Sequence, residues 1–154
     1  MSLFRTLYKY WVSILTAAVV VQIFAAGYGA FDTADKVGGG GTVDEDSFND
    51  SFGVHMGLGY LIFLGTIVLL LLSFGARGRQ RILRSAVAVV LLVVQILLAW
   101  TGGAAPYIFG GLHPINAFII LGLLGSTTYL AWKGRLDTAE TAESAETAVA
   151  TPAA

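Results

Sequence analysis

The chain has 154 residues, 56% of them hydrophobic and only 12% charged, with a formal net charge of −1. Apolarity on this scale marks an integral membrane protein and excludes an ordinary soluble domain, while the near-zero charge offers nothing to nucleic acid. With no cysteine, disulfides, thiolate metal sites and covalent c-type haem attachment are excluded as well.

In chain order, four apolar stretches fall at about residues 11–30, 54–74, 83–101 and 113–132, and the only charge inside them is Arg84 at the start of the third. Each has the ~20 residues that a helix needs to cross ~30 Å of hydrocarbon. Lipid offers the backbone no hydrogen bonds, so such runs are read as helices, and the fold class is an all-α polytopic transmembrane four-helix bundle. The first stretch follows Arg5 and Lys9 and ends in small residues, "AAGYGA", as a secretory leader does. It is read as a span, because removing it leaves three spans and discards the counterpart of the third.

Charge sets the orientation. Arg5, Lys9, Arg77, Arg79, Arg81, Arg84, Lys133 and Arg135 fall on one side of this arrangement and Lys36 alone on the other. The positive-inside rule then predicts both termini in the cytoplasm of a multi-pass protein of a bacterial or archaeal cell membrane. Trp11 and Trp132 are expected at the inner interface and Trp100 at the outer one. The first outer connection carries Asp32, Asp35, Asp44, Glu45, Asp46 and Asp50 around a glycine run, Gly38 to Gly41, and reads as solvated and flexible. Residues 1–133 form the membrane domain. The Ala/Thr/Glu-rich residues 134–154 have no apolar face and read as a disordered cytoplasmic tail.

The spans contain a repeat. "VVQIFAAG" (Val20 to Gly27) in the first returns as "VVQILLAW" (Val93 to Trp100) in the third. The second and fourth then open with His55, Gly59, Tyr60 and with His113, Ala117, Phe118: a histidine, a small residue four later and an aromatic after it. A helix pair used twice in the same sense implies a pseudo-twofold axis along the membrane normal. Across it His55 would face His113 at matched depth near the outer surface, and Gln22 would match Gln95.

His55 and His113 are the only histidines. Two imidazoles facing each other across a bundle axis suit one haem iron held by two axial nitrogens, the porphyrin standing among apolar side chains. For either histidine alone, an interfacial group bonded to water or a carbonyl is the simpler reading. For the pair, a structural hydrogen-bonding role, another metal or a proton relay stand as alternatives. Zinc suits the pair poorly without a cysteine or third histidine nearby. Gln22 and Gln95 are assigned to interhelical amide bonds, Asn116 to a local cap or bond, and Pro114 to the first turn of its helix, where its missing N–H costs nothing. Gly57 and Gly59, with Gly102, Gly103, Gly110 and Gly111 at the second outer connection, suit close approach by a flat ring or by another helix.

Together, "VVQIFAAG" before "HMGLGY" and "VVQILLAW" before "LHPINA" resemble one four-helix half of heme A synthase, over residues 11 to 132. The chain also looks like small bacterial four-helix membrane proteins with an "LHP-x-NA" element. The resemblance to the synthase implies that His55 and His113 are the axial ligands of one b-type haem. The synthase has two such halves where this chain has one, so its second haem site has no counterpart here.

The expectation is therefore a membrane protein binding one haem b through His55 and His113 near the outer face, in electron transfer or haem handling. One alternative is a haem-free accessory subunit of a larger membrane complex. Another is a heme-A-synthase-like enzyme acting as a homodimer. The partners expected are the lipid bilayer and such a complex or homo-oligomer.

Overall fold

The computed structural model describes residues 3–102 and 107–136. Among them lie four helices, α1 (Leu3–Gly38), α2 (Glu45–Ala76), α3 (Arg79–Gly102) and α4 (Ile108–Trp132), and no strand. Each is long and apolar enough to cross a membrane. α1 packs on α2 and α4, and α3 packs on the same two, so that α1 stands diagonally from α3 and α2 from α4. Interhelical bonds fix an antiparallel register within each pair. Arg5 meets the carbonyl of Ala76, Trp11 that of Gly65 and Gln22 that of His55. In the second pair Arg84 meets Thr127 and Asn116 meets Leu91.

The helices run further than the apolar stretches. α1 continues through Asp32 to Gly38, and α2 begins at Glu45, so the acidic connection is mostly helix and not the flexible loop expected. Its side chains explain why. Lys36 pairs with Asp32 one turn back at 2.8 Å and donates to Ser51 Oγ at 3.0 Å and to the Ser47 carbonyl at 3.3 Å. Ser51 Oγ in turn donates to Asp32. Asp44 caps α2 through a reciprocal pair of bonds with Ser47, which satisfies backbone donors that a helix start otherwise leaves bare. A 36-residue helix spans ~54 Å at 1.5 Å per residue, well beyond the hydrocarbon core. The α1–α2 hairpin thus carries its charged end above the apolar zone.

Pro114 also departs from expectation. α4 starts at Ile108, which places Pro114 inside the helix and not in its first turn. There the ring removes one backbone donor and crowds the preceding turn. Gly110 and Gly111 belong to this helix, while Gly103 lies outside the described residues. At the opposite end of the bundle α2 and α3 are joined by Arg77 and Gly78, both at positive φ (59° and 105°). Glycine takes such angles freely, and the Arg77 carbonyl accepts from Arg81 Nη1 at 2.9 Å.

Packing is uneven along the bundle. The buried core gathers Tyr8, Val12 and Leu15 from α1, Leu69 from α2, Ala88 from α3 and Leu124 from α4, all towards the cation-bearing end. Buried Thr66, Ser73 and Thr127 spend their hydroxyls on carbonyls of their own helices, which lets small polar residues sit in a lipid-surrounded core. Gly65 lets Leu15 pack close here, since a Cβ would lie 2.6 Å from Leu15 Cδ2 and push that side chain aside. Trp11 donates its indole N–H to the Gly65 carbonyl at 2.8 Å. Leu136 is buried too, so packed chain continues past residue 133; residues 137–154 of the expected tail lie outside the described residues. Large apolar side chains such as Phe24 and Phe31 face outward, as a bilayer solvent requires.

Candidate functional site

Away from the cation-bearing end the tight packing gives way to a cavity of about 400 Å³, within the range of small-molecule sites. All four helices line it. Val19, Ile62, Leu92 and Ile120, one from each helix, close it from below, and Phe48, Phe52 and Trp100 stand toward its outer end. Polar groups enter it at Gln22, His55, Gln95 and His113. The two histidines come from diagonal helices, yet their ring centres are only 6.1 Å apart, with planes at 65°.

The lining residues recur at matched offsets. Val19 and Ala26 flank Gln22 as Leu92 and Ala99 flank Gln95; Gly59 and Ile62 follow His55 as Ala117 and Ile120 follow His113. The histidine contacts match as well. His55 Nδ1 lies 3.1 Å from the backbone oxygen of Gln22, and His113 Nδ1 lies 3.1 Å from that of Gln95.

These contacts determine the proton positions. A backbone carbonyl only accepts, so each Nδ1 carries a hydrogen, and in the neutral ring Nε2 then keeps the lone pair. That is the state in which an imidazole can bind a metal, with its second nitrogen anchored to the protein. A metal–imidazole bond is ~2 Å and the ring centre lies ~1 Å beyond the nitrogen, so two rings on opposite sides of one metal have centres roughly 6 Å apart. The observed 6.1 Å matches that separation, and it is equally the ordinary separation of two rings in direct edge-on contact. The cavity walls are mostly apolar, and Gly59 lies close against α1, where a Cβ would meet Gln22 Nε2 at 3.0 Å. Among the described residues no three His, Cys, Asp or Glu side chains cluster as metal ligands. Two imidazoles by themselves are a short ligand set for a bare tetrahedral ion.

The two halves differ at their amides. Gln22 Nε2 donates to the His55 carbonyl at 2.7 Å, and its Oε1 is buried without a partner among the described residues. Gln95 instead approaches His113 itself, with Nε2 3.1 Å from His113 Nε2. Asn116 is the cause: its Nδ2 donates to the Leu91 carbonyl at 3.0 Å and to Gln95 Oε1 at 2.7 Å. Leu58 holds the corresponding place after His55 and donates nothing. The reading of Asn116 as a local cap is thus corrected: it is buried and bonds across to α3. Its signal in the sequence was an amide one helical turn from a histidine inside a span, a position that tends to be functional.

The glutamines do form interhelical bonds as expected, but their backbone carbonyls, which no side-chain pattern reveals, hold the histidines. Phe52 was also not singled out. Its ring packs edge-on to His55 at 6.2 Å and stacks on Phe48 at 4.8 Å, lining the end of the cavity away from the cations. No protein-family model matches this chain, and no curated protein or solved structure is significantly similar to it.

Proposed function

We propose that this chain binds one b-type haem through His55 and His113, in the half of the bundle that faces the outer side of the membrane. The observation that carries the reading is the pair of imidazoles 6.1 Å apart, each anchored at Nδ1 by a glutamine carbonyl and each lining an apolar cavity. When bound, the haem iron supplies one-electron chemistry, which suits electron transfer or haem handling. The protein's share is to fix two neutral imidazoles, exclude water with Phe48 and Phe52, and present Val19, Ile62, Leu92 and Ile120 to an apolar ring.

The tandem helix pair belongs to the same proposal. It draws support from the matched offsets around Gln22 and Gln95 and around His55 and His113, and from the diagonal placement of equivalent helices. So does the orientation with both termini inside, supported by the cations gathered at the end opposite the histidines. One observation favours a second reading, a haem-free subunit of a larger membrane complex: both nitrogens of His113 are hydrogen-bonded within the protein. The two readings part on purification. Haem ligation predicts a coloured protein with a Soret band, or uptake of added haemin in a one-to-one ratio; a colourless protein that takes up none contradicts it.

A further inference from the structure

The two halves of the site are not chemically equal. The Asn116 nitrogen is identified by the Leu91 carbonyl it faces, because a carbonyl can only accept. The Gln95 atom 2.7 Å from that nitrogen must then be the oxygen, so the Gln95 nitrogen is the atom turned to His113 Nε2. Since Nδ1 carries the ring hydrogen, the Gln95 amide donates into the one lone pair with which His113 could hold a metal. Among the described residues His55 has no such cover: its Nδ1 meets the Gln22 carbonyl, and the Gln22 amide is turned to the His55 backbone instead.

We infer that Gln95 and Asn116 form an amide latch over His113 Nε2, so that His55 is the standing ligand and His113 engages only after the Gln95 side chain turns away. This rests on the haem reading and deepens it. A site that takes its ligand first through one histidine, and closes with the second, suits loading and release better than a permanently locked carrier. The apparent affinity is lowered by the fraction of molecules whose latch is shut.

The test uses the full-length protein in two assays. Diethyl pyrocarbonate acylates an imidazole through a free nitrogen lone pair and needs no haem. In the metal-free protein His55 should be modified faster than His113. Asn116→Leu, which places at this position the residue found at Leu58, should speed His113 without changing His55. Gln95→Leu should speed it further, and either variant suffices if the other fails to fold. The expected gain is roughly three- to fifteen-fold, the cost of opening one hydrogen bond inside a membrane bundle. In the second assay, haemin titration, the same variants should bind tighter by a similar factor. Equal modification of the two histidines in the wild type, unchanged by both substitutions, overturns the latch even if haemin binds. Haemin affinity that stays level while His113 labelling rises overturns its regulatory role. If labelling follows the expected order but no form binds haemin, the amide cover on His113 stands as a bond, the haem reading falls, and the ligation order falls with it.

Discussion

His113 accepts from the side-chain amide of Gln95 at Nε2 and faces the backbone carbonyl of the same residue at Nδ1, both at 3.1 Å. One residue thus grips both nitrogens of one ring. Only the backbone contact recurs at His55, where Gln22 Nε2 reaches the histidine's own carbonyl. From this difference it follows that substitutions of the two glutamines should not be equivalent. Gln22→Leu also removes a buried unpartnered oxygen, so it should cost little stability, or none, despite losing one interhelical bond. Thermal unfolding in detergent checks this; a drop as large as that of Gln95→Leu contradicts the different roles assigned to the two amides.

Filling the cavity should separate binding from folding. Ala117 lines it at the place corresponding to Gly59, and a larger apolar side chain there occupies the space proposed for the porphyrin. Ala117→Leu is expected to keep the helical circular dichroism of the wild type while weakening haemin uptake at least about tenfold. Undiminished uptake places the ligand elsewhere.

The bond from Trp11 to the Gly65 carbonyl (2.8 Å) ties α1 to α2. Trp11→Phe keeps most of the ring and loses the donor, so it should destabilise the bundle by about 0.6–1.7 kcal/mol, the range for hydrogen bonds between membrane helices. Equilibrium unfolding in mixed micelles reads this directly. A neutral result means the carbonyl is served equally well by its own helix.

The start of α2 should respond to acid. The backbone N–H and hydroxyl of Ser47 hold the Asp44 carboxyl below the usual aspartate range. A carboxyl whose folded pKa is lowered gives its full stabilisation above the ordinary value near ~4 and loses it as pH falls through the lowered one. The capping box should therefore be intact at neutral pH and fray in strong acid. Amide-exchange protection at Ser47 and Phe48 is the measurement, and Asp44→Ala should remove that protection at neutral pH while leaving the rest of α2 as it was.

The four spans were legible because the bilayer demands long apolar helices, and nothing else satisfies the backbone there. That the two histidines come close together was legible because they are the only two in the chain and each stands near the start of an apolar run. Helix ends were not, because apolarity reports where lipid begins, not where hydrogen bonding stops. The Asp32–Lys36–Ser51 contacts and the Asp44 cap carry α1 and α2 on into water. Pro114 misled for a related reason: proline is tolerated within a helix as well as at its start when surrounding helices hold the chain. The anchoring of both imidazoles by backbone oxygens was invisible too, since every residue has a carbonyl and only packing selects which ones face a ring.

The orientation can be tested independently of any ligand. With Arg5, Lys9, Arg77, Arg79, Lys133 and Arg135 at one end, a reporter active only in the cytoplasm should work when fused after the last residue and fail when inserted at Gly40 in the first connection. The reverse pattern overturns the orientation, and with it the outer position proposed for the histidines.

Ligation by both histidines is read out in the absorption spectrum of purified protein loaded with haemin. The wild type should give a six-coordinate, low-spin spectrum, because two neutral imidazoles supply strong axial nitrogens. His55→Ala and His113→Ala should each abolish that spectrum, whereas Gln22→Leu should leave it in place. A low-spin spectrum that survives either histidine substitution, or a wild type that takes up no haemin at all, contradicts the claim.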